Sequence, residues 1–200
     1  MGFFNWAAPL VRRFGDRFTD ADIALITRKL GDAGPGGRLL DVGGGAGQLS
    51  ILLAEKLDAH ATVLDPTPEM LDHLPDHPRV TGVSGVAEAM PFADDAFDAA
   101  IVSDAFHHFR DQPGAAAELQ RVVRPGGVVL ILELDPSGFF MRFVALVERV
   151  LGEPGAFFTP AEMCEFMAEH GIAGECEPAA GATYVYRGVV RAGPADAGVG

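Results

Sequence analysis

Leu39-Leu40-Asp41-Val42-Gly43-Gly44-Gly45-Ala46-Gly47-Gln48 is the stretch on which the reading of this chain turns. An apolar strand over 38–42 runs into glycines, and apolar residues at helical spacing follow over 46–57. Glycines at such a junction let the backbone turn tightly and let a ligand approach with no Cβ in between. The pattern is Asp-x-Gly-x-Gly-x-Gly, through Asp41, Gly43, Gly45 and Gly47. The dinucleotide fingerprint Gly-x-Gly-x-x-Gly fits poorly. Read from Gly43 it needs glycine where Gln48 stands, and read from Gly44 it meets Ala46 and Leu49.

Outward from the loop, a second strand over 61–65 ends on Asp65, 24 residues after Asp41. A carboxylate there can accept hydrogen bonds from both ribose hydroxyls of an adenosine. Thr67-Pro68-Glu69 reads as a cap with proline at the first helical position, and further strands are expected over 79–83 and 98–103. A helix over 113–123 closes on Arg124-Pro125-Gly126-Gly127, and the apolar run 128–134 suits a strand buried on both faces. Upstream, Thr19 and Asp22 form a capping box for a helix to about residue 30. Downstream, Thr159-Pro160-Ala161-Glu162 opens a helix that ends at Gly171, and 183–191 is the last strand. This alternation predicts an α/β, doubly wound, mostly parallel sheet with helices on both faces.

Two hundred residues with 48% hydrophobic content suit one globular domain, over 1–191. Residues 1–18, with Phe3, Phe4, Trp6 and Phe14, read as an N-terminal lid segment. Residues 138–158 read as a helical lid insertion and 192–200 as a flexible tail. The net charge of −13 argues against a nucleic-acid partner and against docking on anionic lipid. No apolar run approaches the roughly 18 residues of a membrane span, so stable membrane insertion is not expected. Two cysteines, Cys164 and Cys176, make no disulfide framework, and a reducing cytoplasm is the default. No metal-ligand spacing of the zinc type appears, so no metal is expected.

Two further blocks complete a set. Ala87-Glu88-Ala89-Met90-Pro91-Phe92-Ala93-Asp94-Asp95-Ala96-Phe97-Asp98 precedes the fourth strand, and Leu119-Gln120-Arg121-Val122-Val123-Arg124-Pro125-Gly126-Gly127 precedes the fifth. With the Asp41 loop and Asp65, these resemble the class I S-adenosyl-L-methionine (SAM)-dependent methyltransferases in order and spacing, tightly over about residues 37–135. The resemblance implies a Rossmann-like, seven-stranded sheet with its last strand antiparallel. It implies SAM as cofactor and S-adenosyl-L-homocysteine as product. Asp41 and the turn of Gly43, Gly45 and Gly47 would hold the methionine part, and Asp65 the ribose. Met70 would pack on the adenine, Ala87 and Glu88 would lie by its edge, and Ser103 near the methionyl group. Relatives often carry Asp or Asn where this chain has Val86. Either Glu88 takes over that bond or the adenine is held by backbone and packing.

Within the class, Leu130-Ile131-Leu132-Glu133-Leu134-Asp135-Pro136, Phe158–Glu162 and Tyr184–Gly188 look nearest to the ubiquinone/menaquinone-biosynthesis C-methyltransferases and their small-molecule relatives. Such an enzyme aligns an acceptor with the methyl–sulfur bond, and a carbon or phenol acceptor also calls for a base. The candidates follow the fourth strand: His108 or His107 to take a proton, Asp104 to orient it. The expected acceptor is a small apolar or aromatic molecule, and a homodimer is compatible with the sequence. The alternatives are a nicotinamide-dependent oxidoreductase, which shares the glycine turn and the acid, and a non-catalytic SAM-binding protein.

Overall fold

The computed structural model describes residues 18–138, 156–179 and 181–192. The N-terminal lid segment (apart from Phe18), residues 139–155 of the lid insertion, and the tail from 193 onward lie outside these residues. Among the described residues, five α-helices and seven strands follow one another along the chain. They are α1 (Asp20–Leu30), β1 (Arg38–Val42), α2 (Gln48–Leu57), β2 (His60–Asp65), α3 (Pro68–Leu71), β3 (Val80–Ser84), β4 (Phe97–Ser103), α4 (Gln112–Val122), β5 (Val123–Leu134), α5 (Pro160–Glu169), β6 (Ile172–Pro178) and β7 (Thr183–Val190).

The seven strands form one sheet in the order β3-β2-β1-β4-β5-β7-β6. The first five are parallel, and β7 runs antiparallel to both β5 and β6. This is the Rossmann-like arrangement that the resemblance implied. Strand β1 sits between β2 and β4; the chain runs outward from β1 through β2 to β3, then crosses to β4 and runs the other way to β5. The crevice at the carboxyl ends of β1 and β4 is therefore the topological switch point, where such sheets hold ligands.

Strand periodicity decides which side chains meet which helices. Leu40, Val42, Ala100, Val102, Val129 and Ile131 face one layer, with Ala115 and Leu119 of α4 and Met163 and Met167 of α5. Leu39, Ala99, Ile101, Val128 and Leu130 face the other, with Ile23 and Ile26 of α1 and Leu49 and Leu53 of α2. Each fully buried aliphatic side chain contributes ~1.5–3 kcal/mol, which explains why β5 tolerates no polar alternation through its centre.

Both predicted capping boxes are present, Thr19 with Asp22 and Thr159 with Glu162. Thr67 makes no side-chain cap. Its amide instead donates to Asp65 Oδ1 at 2.9 Å, so α3 is anchored through the strand end before it. The β5 ladder begins already at Val123 opposite Phe97, ahead of the expected start at 128. Strand β6 is the element the residue pattern did not reveal. Its sequence, Ile-Ala-Gly-Glu-Cys-Glu-Pro, buries only Ile172 and lacks an apolar alternation. It is an edge strand held by pairing with β7, where Gly174 lies opposite Gly188.

Among the described residues no helix is long and apolar enough to cross a membrane.

Candidate active site

The glycine turn after β1 is built from left-handed backbone. Gly43, Gly45 and Gly47 have φ of 72°, 55° and 72°, a region that side-chain-bearing residues rarely adopt. Space matters as much as conformation. A Cβ on Gly43 would stand 2.7 Å from Ala105 Cβ, so the loops after β1 and β4 touch through a missing side chain. A Cβ on Gly44 would stand 2.6 Å from the Asp41 carboxylate, and one on Gly45 3.0 Å from Met70 Cε.

Asp41 lies beneath this turn. It is buried and accepts a hydrogen bond from Ser50 Oγ at 2.7 Å. Burial pushes its carboxyl up to about 6; the Ser50 bond opposes this, and the charge of Asp65 adds to it. Such a group supports the loop from below. Asp65, at the end of β2, spans the turn. Its Oδ2 accepts from Gly45 N and its Oδ1 from Thr67 N, both at 2.9 Å. Each carboxylate oxygen has a second lone pair, so these bonds are compatible with ribose hydroxyls as further donors.

The switch-point crevice is a cleft of about 220 Å³. Val42, Gly43, Leu64 and Pro66 line one side, Gly85, Val86, Ala87 and Glu88 another, and His108, Phe109 and Arg110 close it. The structure thus brings Gly43, Ala87, Glu88 and His108 together around one space, with Met70 exposed beside Gly45. Glu88 has a structural engagement that its sequence context did not suggest. Its Oε1 accepts from Arg110 N at 2.8 Å and Asp111 N at 3.2 Å, just ahead of α4. Half-exposed Val86 presents no hydrogen-bonding side chain to the cleft.

Beyond β4, Ser103 is half-buried and Asp104 has a φ of 51°, a left-handed conformation in a residue with a side chain. That turn, which Asp tolerates better than most, directs the chain into the short 3₁₀ turn Phe106–His108. His107 is buried there, with Nδ1 2.8 Å from Glu133 Oε2 and 3.1 Å from Oε1. Glu133 Oε1 also accepts the Phe106 amide at 2.9 Å. The His107 ring stacks on Phe157 with centroids 4.4 Å apart, and the His108 ring lies 3.9 Å away. Glu133 thus offers His107 a carboxylate in addition to the one expected of Asp104. Asp104 lies close by, and burial, reinforced by the charge of Glu133 and opposed by His107, raises its carboxyl above the ordinary value. In the sequence Glu133 stands within the apolar run of β5 with nothing beside it to mark a role. Its one usable signal is a carboxylate near the end of an otherwise buried strand.

The remaining two sequence blocks explain each other. Arg121 of α4 donates to the carbonyls of Phe92 and Met90 at 2.7 and 3.1 Å and to Asp94 and Glu118 carboxylates at 2.7–2.8 Å. Glu118 in turn accepts the Met90 amide at 2.7 Å. The Pro91-Phe92 loop, which carries Ala87 and Glu88 into the cleft, is thus clamped to α4.

The glycine cradle, the acid at the end of β2 and the crevice at the switch point fit SAM. Its adenosine would lie along Asp65, Met70, Val86 and Ala87, and its methionine part over the turn and near Ser103.

A family model described as a methyltransferase domain matches residues 40–131. An uncharacterized protein of Mycobacterium tuberculosis is 39% identical over 135 residues, covering 65% of this chain and 49% of the relative. A ubiquinone/menaquinone biosynthesis C-methyltransferase of Paracoccus denitrificans is 38% identical over 108 residues, covering 50% and 43%. The chain thus spans about half the length of the curated relatives it matches. Among solved structures, the Haloferax volcanii protein in complex with the Trm112 methyltransferase activator superposes with a TM-score of 0.76 at 19% identity, covering 96% of this chain and 99% of that one. Over residues 40–131 the chain is thus similar to methyltransferase domains, and its likeness to the solved structure is one of fold.

Proposed function

We propose that this chain transfers the methyl group of SAM to a small apolar or aromatic acceptor, at carbon or oxygen, with a histidine as proton acceptor. The observation that carries the base is the buried His107–Glu133 pair beside the cleft that His108 lines. When bound, SAM supplies an electrophilic methyl on a sulfonium.

The protein's own residues then have three tasks. The glycine turn, braced by Asp41 and buckled by Asp65, holds the cofactor end of the crevice. Glu133 accepts the Nδ1 proton of His107, which leaves Nε2 with the lone pair of a base and fixes the ring's orientation. His108, on the cleft wall and against the His107 ring, stands where an acceptor proton would be passed. The apolar acceptor is supported by the aromatic side chains around this turn. Phe106 packs on Phe109, Phe158 and Phe166, and Phe157 covers His107. The Paracoccus relative's role as a C-methyltransferase supports a carbon acceptor.

The test is turnover of SAM against a panel of quinols, phenols, carbon acids and small amines. Formation of S-adenosyl-L-homocysteine with ring-bearing acceptors is the expected result. A best acceptor among small polar amines would overturn the acceptor class. Binding of SAM with no turnover across the panel, or spectral binding of NADH with none of SAM, would overturn the methyltransferase reading itself.

A further inference from the structure

Outside the methyl-transfer cleft, the fold joins the chain's two cysteines. Cys164 lies on α5 and Cys176 on the edge strand β6, 12 positions apart, and both are half-buried thiols. Their sulfurs are 3.2 Å apart, with Cys164 donating to Cys176, while the Cys176 thiol donates to the Pro160 carbonyl at 3.1 Å. A second cleft, of about 210 Å³, opens on Cys176 between Asp135, Pro160, Pro178, Gly181 and Tyr184. Cys164 does not line it.

We propose that Cys164 and Cys176 are a modification site, a dithiol that low-molecular-weight disulfides of the glutathione type convert to an intramolecular disulfide. Three observations converge. The sulfurs need to approach by only about 1 Å to reach bonding distance near 2.05 Å. The two thiols are held together by packed elements, so the second displacement is intramolecular and strongly favoured over release. Both thiols are half-buried, and Cys176 opens on a cleft that Cys164 does not line, which makes Cys176 the point of first attack.

The chemistry balances without any further oxidant. The Cys176 thiol gives up its proton and attacks the small disulfide. That S–S bond breaks, one small thiolate leaves and takes the proton, and a mixed disulfide forms on Cys176. Cys164 Sγ then attacks the Cys176 sulfur of the mixed disulfide, and the second small thiol leaves with the Cys164 proton. Two protein thiols are oxidised to one disulfide, and one small disulfide is reduced to two thiols. Burial, with the Cys164 contact adding to it, raises the Cys176 thiol above the ordinary range. The thiolate is then scarce and the first step slow, while the reduced form gains nothing from ionisation.

The bond would pin α5 to the sheet through its middle. The residues just before that helix are Phe157, stacked on His107, and Phe158, whose carbonyl accepts the Tyr184 hydroxyl at 3.0 Å. Closing this short loop constrains the unfolded chain, which stabilises the fold.

The full chain is equilibrated with oxidised glutathione in excess over reduced, quenched with acid, unfolded and alkylated. The expected result is a monomer lighter by two hydrogens, with neither cysteine alkylated and one peptide cross-link between Cys164 and Cys176. Its Tm should rise by several degrees and fall back on reduction. Cys164→Ser should stop at a glutathione adduct on Cys176. Two alkylated cysteines in the wild-type chain, or a disulfide between chains, would overturn the proposal. So would a Cys164→Ser chain that takes up no adduct. None of these readouts depends on methyl transfer.

Discussion

His107 Nδ1 lies 2.8 Å from Glu133 Oε2, although the two residues stand 26 positions apart. The parallel pairing of β4 with β5 sets them side by side, because Ser103 lies opposite Leu132 and both strands end at the same crevice edge. Glu133→Gln keeps the shape of the side chain and removes its charge, so a base depending on that carboxylate should lose strength. The expected outcome is a fall in kcat of roughly 10- to 100-fold, with the SAM Kd near wild type. His107→Ala should behave likewise. If Glu133→Gln weakens SAM binding and leaves kcat intact, the pair serves packing alone.

Asp41 predicts opposite effects on stability and binding. Its buried carboxyl titrates at about 6 in the fold against an ordinary 3.8. The folded state therefore holds the proton more tightly than the unfolded state. The corresponding stability is fully present below about pH 4 and is lost as pH rises through about 6. Asp41→Asn, which can still accept the Ser50 bond, should be more stable than wild type at pH 7.5 by up to about 3 kcal/mol. Its stability between pH 4 and 7 should also be flatter. SAM affinity should fall, since the turn loses its charged brace. Urea unfolding at several pH values gives the first comparison and calorimetry the second. Parallel pH profiles for the two proteins would remove the burial argument.

Gly43→Ala should be costly despite the small change. The new methyl would meet Ala105 Cβ, and the backbone at φ 72° disfavours any side chain. A loss of ~1–3 kcal/mol in stability should accompany weaker SAM binding. A paired Ala105→Gly should recover part of both, because it removes the methyl that Gly43→Ala strikes. A double variant no better than Gly43→Ala would show that conformation, and not contact, sets the cost.

Asp65→Ala should weaken SAM binding by about 1.5–3 kcal/mol for each charged hydrogen bond lost to the ribose. The side chain also buckles Gly45 to Thr67, so hydrogen exchange at the Gly45 amide should speed up in the unliganded variant. Unchanged SAM affinity by calorimetry, with faster exchange, would leave Asp65 a purely structural buckle.

Arg121→Met should destabilise the chain by about 2–4 kcal/mol. It strips the guanidinium from two carbonyls and two carboxylates while keeping much of the apolar stem. The effect on SAM binding should be smaller than that of Asp65→Ala, since Arg121 acts only through the 90–94 loop. Thermal denaturation with and without SAM separates the two. A variant as stable as wild type would show that the clamp contributes nothing net.

The residue pattern alone determined the strands that are apolar through their length, the two capping boxes and the glycine turn. Each is a local statement: a strand buried on both faces must be apolar, a box needs two side chains three residues apart, and positive φ selects glycine. The positions of Asp41 and Asp65 at strand ends followed from the same local logic. Tertiary structure decided the rest. Strand β6 exists because β7 offers it a ladder, and its own residues carry no alternation. Glu88 lines the cleft, and the fold also gives it the amides ahead of α4, 22 and 23 residues away, as partners. Glu133 looks like a lapse in an apolar strand and turns out to hold His107. Cys164 and Cys176 read as two unrelated thiols until the helix and the edge strand bring their sulfurs together. In each case the deciding partner is brought close by sheet register or by packing, and neither is written in the spacing of the residues themselves.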